Sequence, residues 1–246
     1  MMQYLRKIKD LGITGSMAKW YDKNSRESRM EELKSYAKDI AALVEAGCAN
    51  PAAKPQGRPR ILEVAPGPGY ISIELSKLGS YTITGMDISE DFIKICKANA
   101  ERESADVDFV QGNVSNMPFA DASFDFLFCS AAFKNFHDPA QALREMYRVL
   151  KPKGGGLIID MNRNASNAAL KAEVDKMRLR GFSHLWVSLT FSIFLRKGAY
   201  TRAEFETMLA SSPFSNWKIK EGGIGVCIYL NEAAAGVWGR SPQERG

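Results

Sequence analysis

An α/β fold built on a largely parallel sheet is predicted by three features of this 246-residue chain. From Arg60 onward, short apolar runs alternate with amphipathic stretches of helical spacing. The helical stretches open on capping signals such as Ser89, Asp138-Pro139 and Thr201. Two apolar runs near the C-terminus are separated by little more than a glycine pair. Alternating strands and helices imply βαβ units with right-handed crossovers and a sheet covered on both faces. The last two runs imply an antiparallel hairpin at its edge.

Each element follows in order. Residues 1 to about 48 read as helical, with a polar, basic face. Met30, Leu33, Tyr36, Ala37, Ile40, Leu43 and Val44 fall on one side of a helix, which Gly47 is expected to stop. "NPAAKPQGRP" is a linker by its Pro, Gly and small-residue content. "RILEVAP" is a buried strand, and "YISIELSKLG" a helix with a glycine C-cap. "YTITGMDI" is a second strand; "SEDFIKICKANAERE" is a helix with Ser89 as N-cap and acidic residues in its first turn. "VDFVQGN" and "SFDFLFCS" are strands. "DPAQALREMYRVLKPKG" is a helix capped by Asp138 with Pro139 at its first position, and "GGLIIDM" is the fifth strand. After Asp160 come a polar helix, "SNAALKAEVDKMRLRG", and the apolar "FSHLWVSLTFSIFLRKGAY". Thr201 with Glu204 is a capping box, and "NWKIKEG" and "GVCIYL" are the closing strands. The division expected is a helical lid over 1–50 and one domain over 51–246, with a helical insert at about 163–212.

Composition narrows the function. With 45% hydrophobic and 25% charged residues the chain has ordinary globular composition. A net charge of +5, without an arginine-rich tract, gives no reason to expect nucleic acid as partner. Cys48, Cys96, Cys129 and Cys227 lie far apart, so no metal site is expected and a reducing, cytoplasmic setting is. "MMQYLRKIKDLG" lacks the apolar core of a signal peptide, and the longest apolar run, "HLWVSLTFSIFL", is too short to span a bilayer.

The most informative stretch joins the first strand to its helix: Glu63-Val64-Ala65-Pro66-Gly67-Pro68-Gly69. In an open parallel sheet, ligands bind beyond the carboxyl ends of the strands, where strand order switches. As a dinucleotide fingerprint the loop is incomplete, because "GPGYIS" lacks the third glycine. Its prolines also remove backbone N–H groups that a phosphate site would use. Asp87 follows 18 residues after Gly69, at the end of the second strand, where a carboxylate can accept both hydroxyls of a ribose. The competing role for Asp87 is capping the next helix. Asn113 stands just past the third strand, where its amide can pair with an adenine edge beside the N–H of Val114; the alternative is a plain turn residue.

"ILEVAPGPG", "MDIS", "QGNVSNMPFADASFDFLFC" and "ALREMYRVLKPKGG" resemble, in order and spacing, the class I S-adenosylmethionine-dependent methyltransferases, and among them the ubiquinone/menaquinone-biosynthesis type. The resemblance covers about residues 58 to 161. It implies a Rossmann-like three-layer sandwich whose seven-stranded, mostly parallel sheet has an antiparallel last strand. It also implies methyl transfer from S-adenosyl-L-methionine, leaving S-adenosyl-L-homocysteine. Glu63, Ala65, Pro66, Gly67 and Gly69 would then shape the loop under the methionine and ribose. Asp87 would take the ribose hydroxyls, with Ile88 against the adenine. Asn113 and Val114 would hold the adenine edge, and Ser130 and Ala131 would lie beside the sulfonium. Three departures stand out: Ala65-Pro66 where Gly-Cys or Gly-Ser is commoner, Asn113 where Asp is commoner, and "KPKGGG" for "KPGG".

Methyl transfer from a sulfonium is an in-line displacement that depends on alignment and exclusion of water, and needs a base only if the acceptor must lose a proton. His137, before the Asp138-Pro139 cap, is the candidate base. "SMAKWYDKNSR" resembles the family's lid segment, which puts Tyr21 on the cofactor and Met17 near the acceptor. Lys134 and Asn135 are read as loop residues within reach of an acceptor. Phe133, His184, Trp186 and Phe191 are the candidate wall of the acceptor pocket, which would suit a small, largely apolar or aromatic metabolite. A dinucleotide-dependent oxidoreductase, a protein that binds the cofactor without methylating, and an RNA methyltransferase remain the alternatives.

Overall fold

A computed structural model describes residues 12–49, 57–176 and 198–231. The chain ahead of the sheet holds two helices, α1 (Ser16–Ser28) and α2 (Met30–Ala49), separated by a break at Arg29 with φ −121° and ψ 0°. The sheet region follows with β1 (Arg60–Val64), α3 (Tyr70–Ser76), β2 (Thr82–Asp87), α4 (Glu90–Arg102), β3 (Val107–Gln111) and β4 (Phe124–Ser130). A 3-10 turn (Phe133–Asn135) leads to α5 (Pro139–Val149) and β5 (Leu150–Met161). α6 (Asn167–Lys176), α7 (Arg202–Ala210), β6 (Trp217–Gly222) and β7 (Gly225–Leu230) complete the described chain.

The seven strands are ordered β3-β2-β1-β4-β5-β7-β6. β1 to β5 pair in parallel, and β7 runs antiparallel to both β5 and β6. Strand order reverses between β1 and β4, so the crevice for a ligand lies above their carboxyl ends. Helices close both faces. One core joins Leu62, Leu127 and Ile158 to Leu143, Met146 and Phe205. The other joins Ile61, Phe128 and Leu157 to Tyr36, Ile40 and Leu75. A strand buried on both faces reads as a continuous apolar run, which is the pattern of "FDFLFCS".

Capping was legible. The Ser89 hydroxyl accepts from Phe92 N, the Asp138 carboxylate from Gln141 N, and Thr201 and Glu204 close a full capping box. Both glycine stops differ from expectation. α2 runs through Gly47 to Ala49. A glycine costs about 1 kcal/mol inside a helix, and the buried face of Leu33, Tyr36, Ala37, Ile40 and Val44 outweighs it. α3 ends at Ser76 on Lys77 in right-handed geometry. Gly79 serves the Tyr81 ring instead, which lies 2.5 Å from where a Cβ would stand. The fifth strand begins earlier than "GGLIIDM". Phe124 pairs with Leu150 but Phe126 with Gly155, so "KPKG" is taken up as an irregularity that Lys151 ties to Asp125 at 2.7 Å.

Candidate active site at the switch point

Register brings the site together. Val64 pairs with Met86 on one side and Cys129 on the other, and Ser130 pairs with Ile159. One residue further along, Ala65, Asp87 and Ser130 stand level with Ile159 at the top of the sheet, and Asp160 follows one step beyond. The Ala65 N–H bonds to Met86 O at 2.8 Å and the Ala131 N–H to Ile159 O at 2.7 Å, which turns both loops outward at the crevice.

The loop from Ala65 to Gly69 is held in left-handed backbone. Ala65, Gly67 and Gly69 have φ of 57°, 56° and 81°. That conformation costs a side-chain-bearing residue about 1–2 kcal/mol, and Ala65 bears that strain where the resembled family more often has glycine. Gly69 is constrained twice, since a Cβ there would stand 2.8 Å from Phe109 Cζ and 3.2 Å from Cys96 Sγ. Glu63, only 2% exposed, fastens the loop to α3 by accepting from both the N–H and the hydroxyl of Ser72. Pro66 O accepts the Gly69 N–H at 3.0 Å, closing the turn.

Asp87 serves both roles weighed for it. One carboxylate oxygen accepts the Ser89 N–H at 2.8 Å, bracing the helix start. The other takes the Gly67 N–H at 3.2 Å, so the carboxylate sits directly against the loop. Burial pushes its pKa up to about 6, against the pull of these backbone N–H groups. Burial pushes Glu63 up to about 8, with the neighbouring Asp87 charge adding to the rise. Asn113 is exposed and makes an Asx turn, its side-chain oxygen accepting the Ser115 N–H at 2.8 Å. Ile88, Val114 and Ser130 are half-buried around the crevice, and Ala131, like Ala65, is in left-handed backbone, with φ 57°.

α1 lies over this loop. Tyr21 Cε1 is 3.8 Å from the position a Gly67 Cβ would take, and the ring stands edge-on to Phe92 with centroids 5.9 Å apart. Its hydroxyl accepts from Arg29 at 3.3 Å. Met17 and Trp20, one turn apart on α1, are 40% and 61% exposed.

On the acceptor side the expected residues divide. His137 is exposed on the loop into α5. Phe133, expected in the pocket wall, is completely buried among Phe136, Tyr200 and Phe205, at centroid distances of 5.4, 6.0 and 5.5 Å. It is core because the 3-10 turn points it down between α5 and α7. His184, Trp186 and Phe191 lie outside the described residues.

Lys134, read as a loop residue, is buried. Its ammonium bonds to Asp160 at 2.9 Å and to Ala131 O at 2.6 Å, and its N–H also reaches Asp160, at 2.9 Å. The pair's side chains are 8% and 1% exposed. The available signal was Asp160 itself, a carboxylate ending the apolar "LIID" strand and therefore in need of a partner. Asn99 and Asp22, which join helices around the loop, gave no pattern of their own.

A sheet of this order, with a small-residue loop at the switch point and a carboxylate ending the neighbouring strand, defines a Rossmann-like nucleotide-binding architecture. Residues 62–158 match the methyltransferase domain family, and this stretch resembles the class I S-adenosylmethionine-dependent methyltransferases. The chain is 36% identical over 102 residues to a demethylmenaquinone methyltransferase of Chlorobaculum parvum. That match covers 42% of this chain and 41% of the relative, about two fifths of the relative's length. A solved structure from Methanococcus maripaludis, assigned as an S-adenosylmethionine-dependent methyltransferase, covers 91% of this chain and 95% of its own, with TM-score 0.70 and 22% identity. The plantazolicin methyltransferase, solved with a triazolic desmethylPZN analogue and S-adenosylhomocysteine, covers 94% of this chain and 98% of its own, with TM-score 0.66 and 13% identity. These two structural likenesses concern the fold.

Proposed function

We propose that the protein transfers a methyl group from S-adenosylmethionine to a small, largely apolar or aromatic metabolite. The observation that carries this is the Ala65–Gly69 loop, wedged between Phe109 below and Tyr21 above and bonded to the Asp87 carboxylate. The group fits these residues. A diol has two donors, which suits Asp87; a sulfonium is a cation, which suits a site lined by buried carboxylates and no phosphate nest. Pro66 and Pro68 remove two of the N–H groups a pyrophosphate would need and keep the turn rigid.

In this reading Asp87 holds the ribose, Ile88 and Val114 flank the adenine, and Asn113 uses the free lone pair of its side-chain oxygen on the adenine amino group. The cofactor supplies an electrophilic methyl group. The chain contributes position and dryness: Glu63 keeps the loop anchored to α3, and the Lys134–Asp160 pair fixes the turn at Ala131. α1 covers the loop with Tyr21. His137, exposed on the loop into α5, would take a proton from an acceptor that has one to lose. Met17 and the residues His184, Trp186 and Phe191 belong to the acceptor side in this proposal. The protein is read as cytoplasmic; among the described residues no helix is long and apolar enough to cross a membrane.

The test is calorimetric binding of S-adenosylhomocysteine against NAD, followed by incubation with methyl-labelled cofactor and metabolite extract. Binding of S-adenosylhomocysteine and label in an apolar small molecule are expected. Binding of NAD alone points to an oxidoreductase and overturns the proposal; label in RNA or in no product overturns the acceptor or the activity.

A further inference from the structure

The lid helix and the cofactor loop share one hydrogen-bonding hub. Asn99 on α4 is 2% exposed, and its side-chain NH2 makes two bonds. One goes to Pro68 O, in the middle of the loop, at 2.9 Å. The other goes to Asp22 Oδ1 on α1, also at 2.9 Å. The same Asp22 oxygen accepts the hydroxyl of Tyr70, the first residue of α3, at 2.8 Å. Asp22 is the immediate neighbour of Tyr21, the ring that lies over Gly67. The segment before α1 is tied independently to the other rim of the crevice: Gly15 N–H bonds to Asp91 at 2.7 Å, and the Ser89 hydroxyl to Ile13 O at 2.6 Å.

An amide NH2 has two hydrogens, and both are committed here on a side chain that is buried. Movement of α1 away from the crevice therefore strips Asn99 of its charged acceptor and Tyr70 of its hydroxyl partner together. Movement of Pro68 strips Asn99 on the other side. Bonds to a carboxylate are the stronger kind, so the two motions are coupled through Asp22.

We propose that Asp22 and Asn99 are positioning residues that fix α1 and the Pro66–Gly69 loop as one unit, so that release of a bound nucleoside cofactor requires the Asp22 contacts to break. The inference rests on the cofactor reading above. The experiment is stopped-flow displacement of S-adenosylhomocysteine from the full chain, read by tryptophan fluorescence because Trp20 sits exposed on α1.

Loss of the carboxylate in Asp22→Leu removes the acceptor of both Asn99 and Tyr70 and should raise the dissociation rate about tenfold or more, at least the effect of one charge-assisted hydrogen bond. Asp22→Asn keeps an oxygen acceptor for both donors and should stay within about threefold of wild type. Tyr70→Phe removes a single hydroxyl and gives a smaller rise; it serves as the test if Asp22→Leu does not fold. Denaturant midpoints measured alongside separate this effect from general destabilisation, which would lower affinity in proportion to lost stability across all three variants. An unchanged dissociation rate in Asp22→Leu and Tyr70→Phe overturns the inference, as does a rise shared equally by Asp22→Asn. Failure of the wild-type chain to bind S-adenosylhomocysteine overturns the cofactor reading instead.

Discussion

Replacing Lys134 with methionine keeps most of the side-chain volume and removes only the charge and its donors. The Asp160 carboxylate is then left 1% exposed without its counter-ion. Removing one partner of a buried pair costs about 3–5 kcal/mol, since the remaining charge is stranded in a poorly polarisable interior. Asp160 would retain the N–H groups of Lys134 and Met161, at 2.9 and 2.7 Å, which places Lys134→Met near the low end, about 3 kcal/mol. Asp160→Leu strands the ammonium with only Ala131 O and should cost nearer 5 kcal/mol, about the upper limit for such changes. The double variant Lys134→Met/Asp160→Leu should regain much of the loss, because both charges have gone. Urea denaturation followed by circular dichroism measures all three, and for a chain of this size about 3 kcal/mol corresponds to a melting-point drop of roughly 6–12 °C. Losses below about 1 kcal/mol in both single variants would refute the burial argument and describe a solvated surface pair.

Four further outcomes follow from the site. Gly69→Ala places a methyl group against Phe109 and Cys96 at φ 81° and should abolish cofactor binding, whereas Gly67→Ala, whose nearest neighbour is the Tyr21 edge at 3.8 Å, should weaken it only modestly; titration calorimetry separates them. Asp87 and Glu63 have folded-state pKa values raised to about 6 and about 8, so the ligand-free protein holds extra protons and loses stability as pH rises from about 4 through those values. A cationic ligand favours the ionised carboxylates, so binding of S-adenosylmethionine should tighten between about pH 5.5 and 8 and release protons, measurable by calorimetry in buffers of different ionisation enthalpy; a flat or falling profile contradicts this. Glu63→Gln, which cannot ionise, should remove the upper part of that pH dependence and leave the part near pH 6.

The sequence by itself determined the alternation of strands and helices, the caps at Ser89, Asp138 and Thr201, and the closing hairpin. Each depends on neighbours within a few residues, where side-chain type and backbone geometry are directly linked. It also singled out Ala65–Gly69, Asp87 and Asn113 as candidates, because a parallel sheet sends those loops to one edge whatever the packing beneath. Where a signal was local but the outcome depended on packing, the reading erred: Gly47 lies inside a helix because the α2 face is buried, and Gly79 is glycine because of the Tyr81 ring. Only the tertiary structure could turn Phe133 into core, pair Lys134 with Asp160 across 26 positions, or run Asp22 through Asn99 to Pro68. A charged or amide side chain gains or loses free energy according to what it meets after burial, and chain spacing does not encode that meeting.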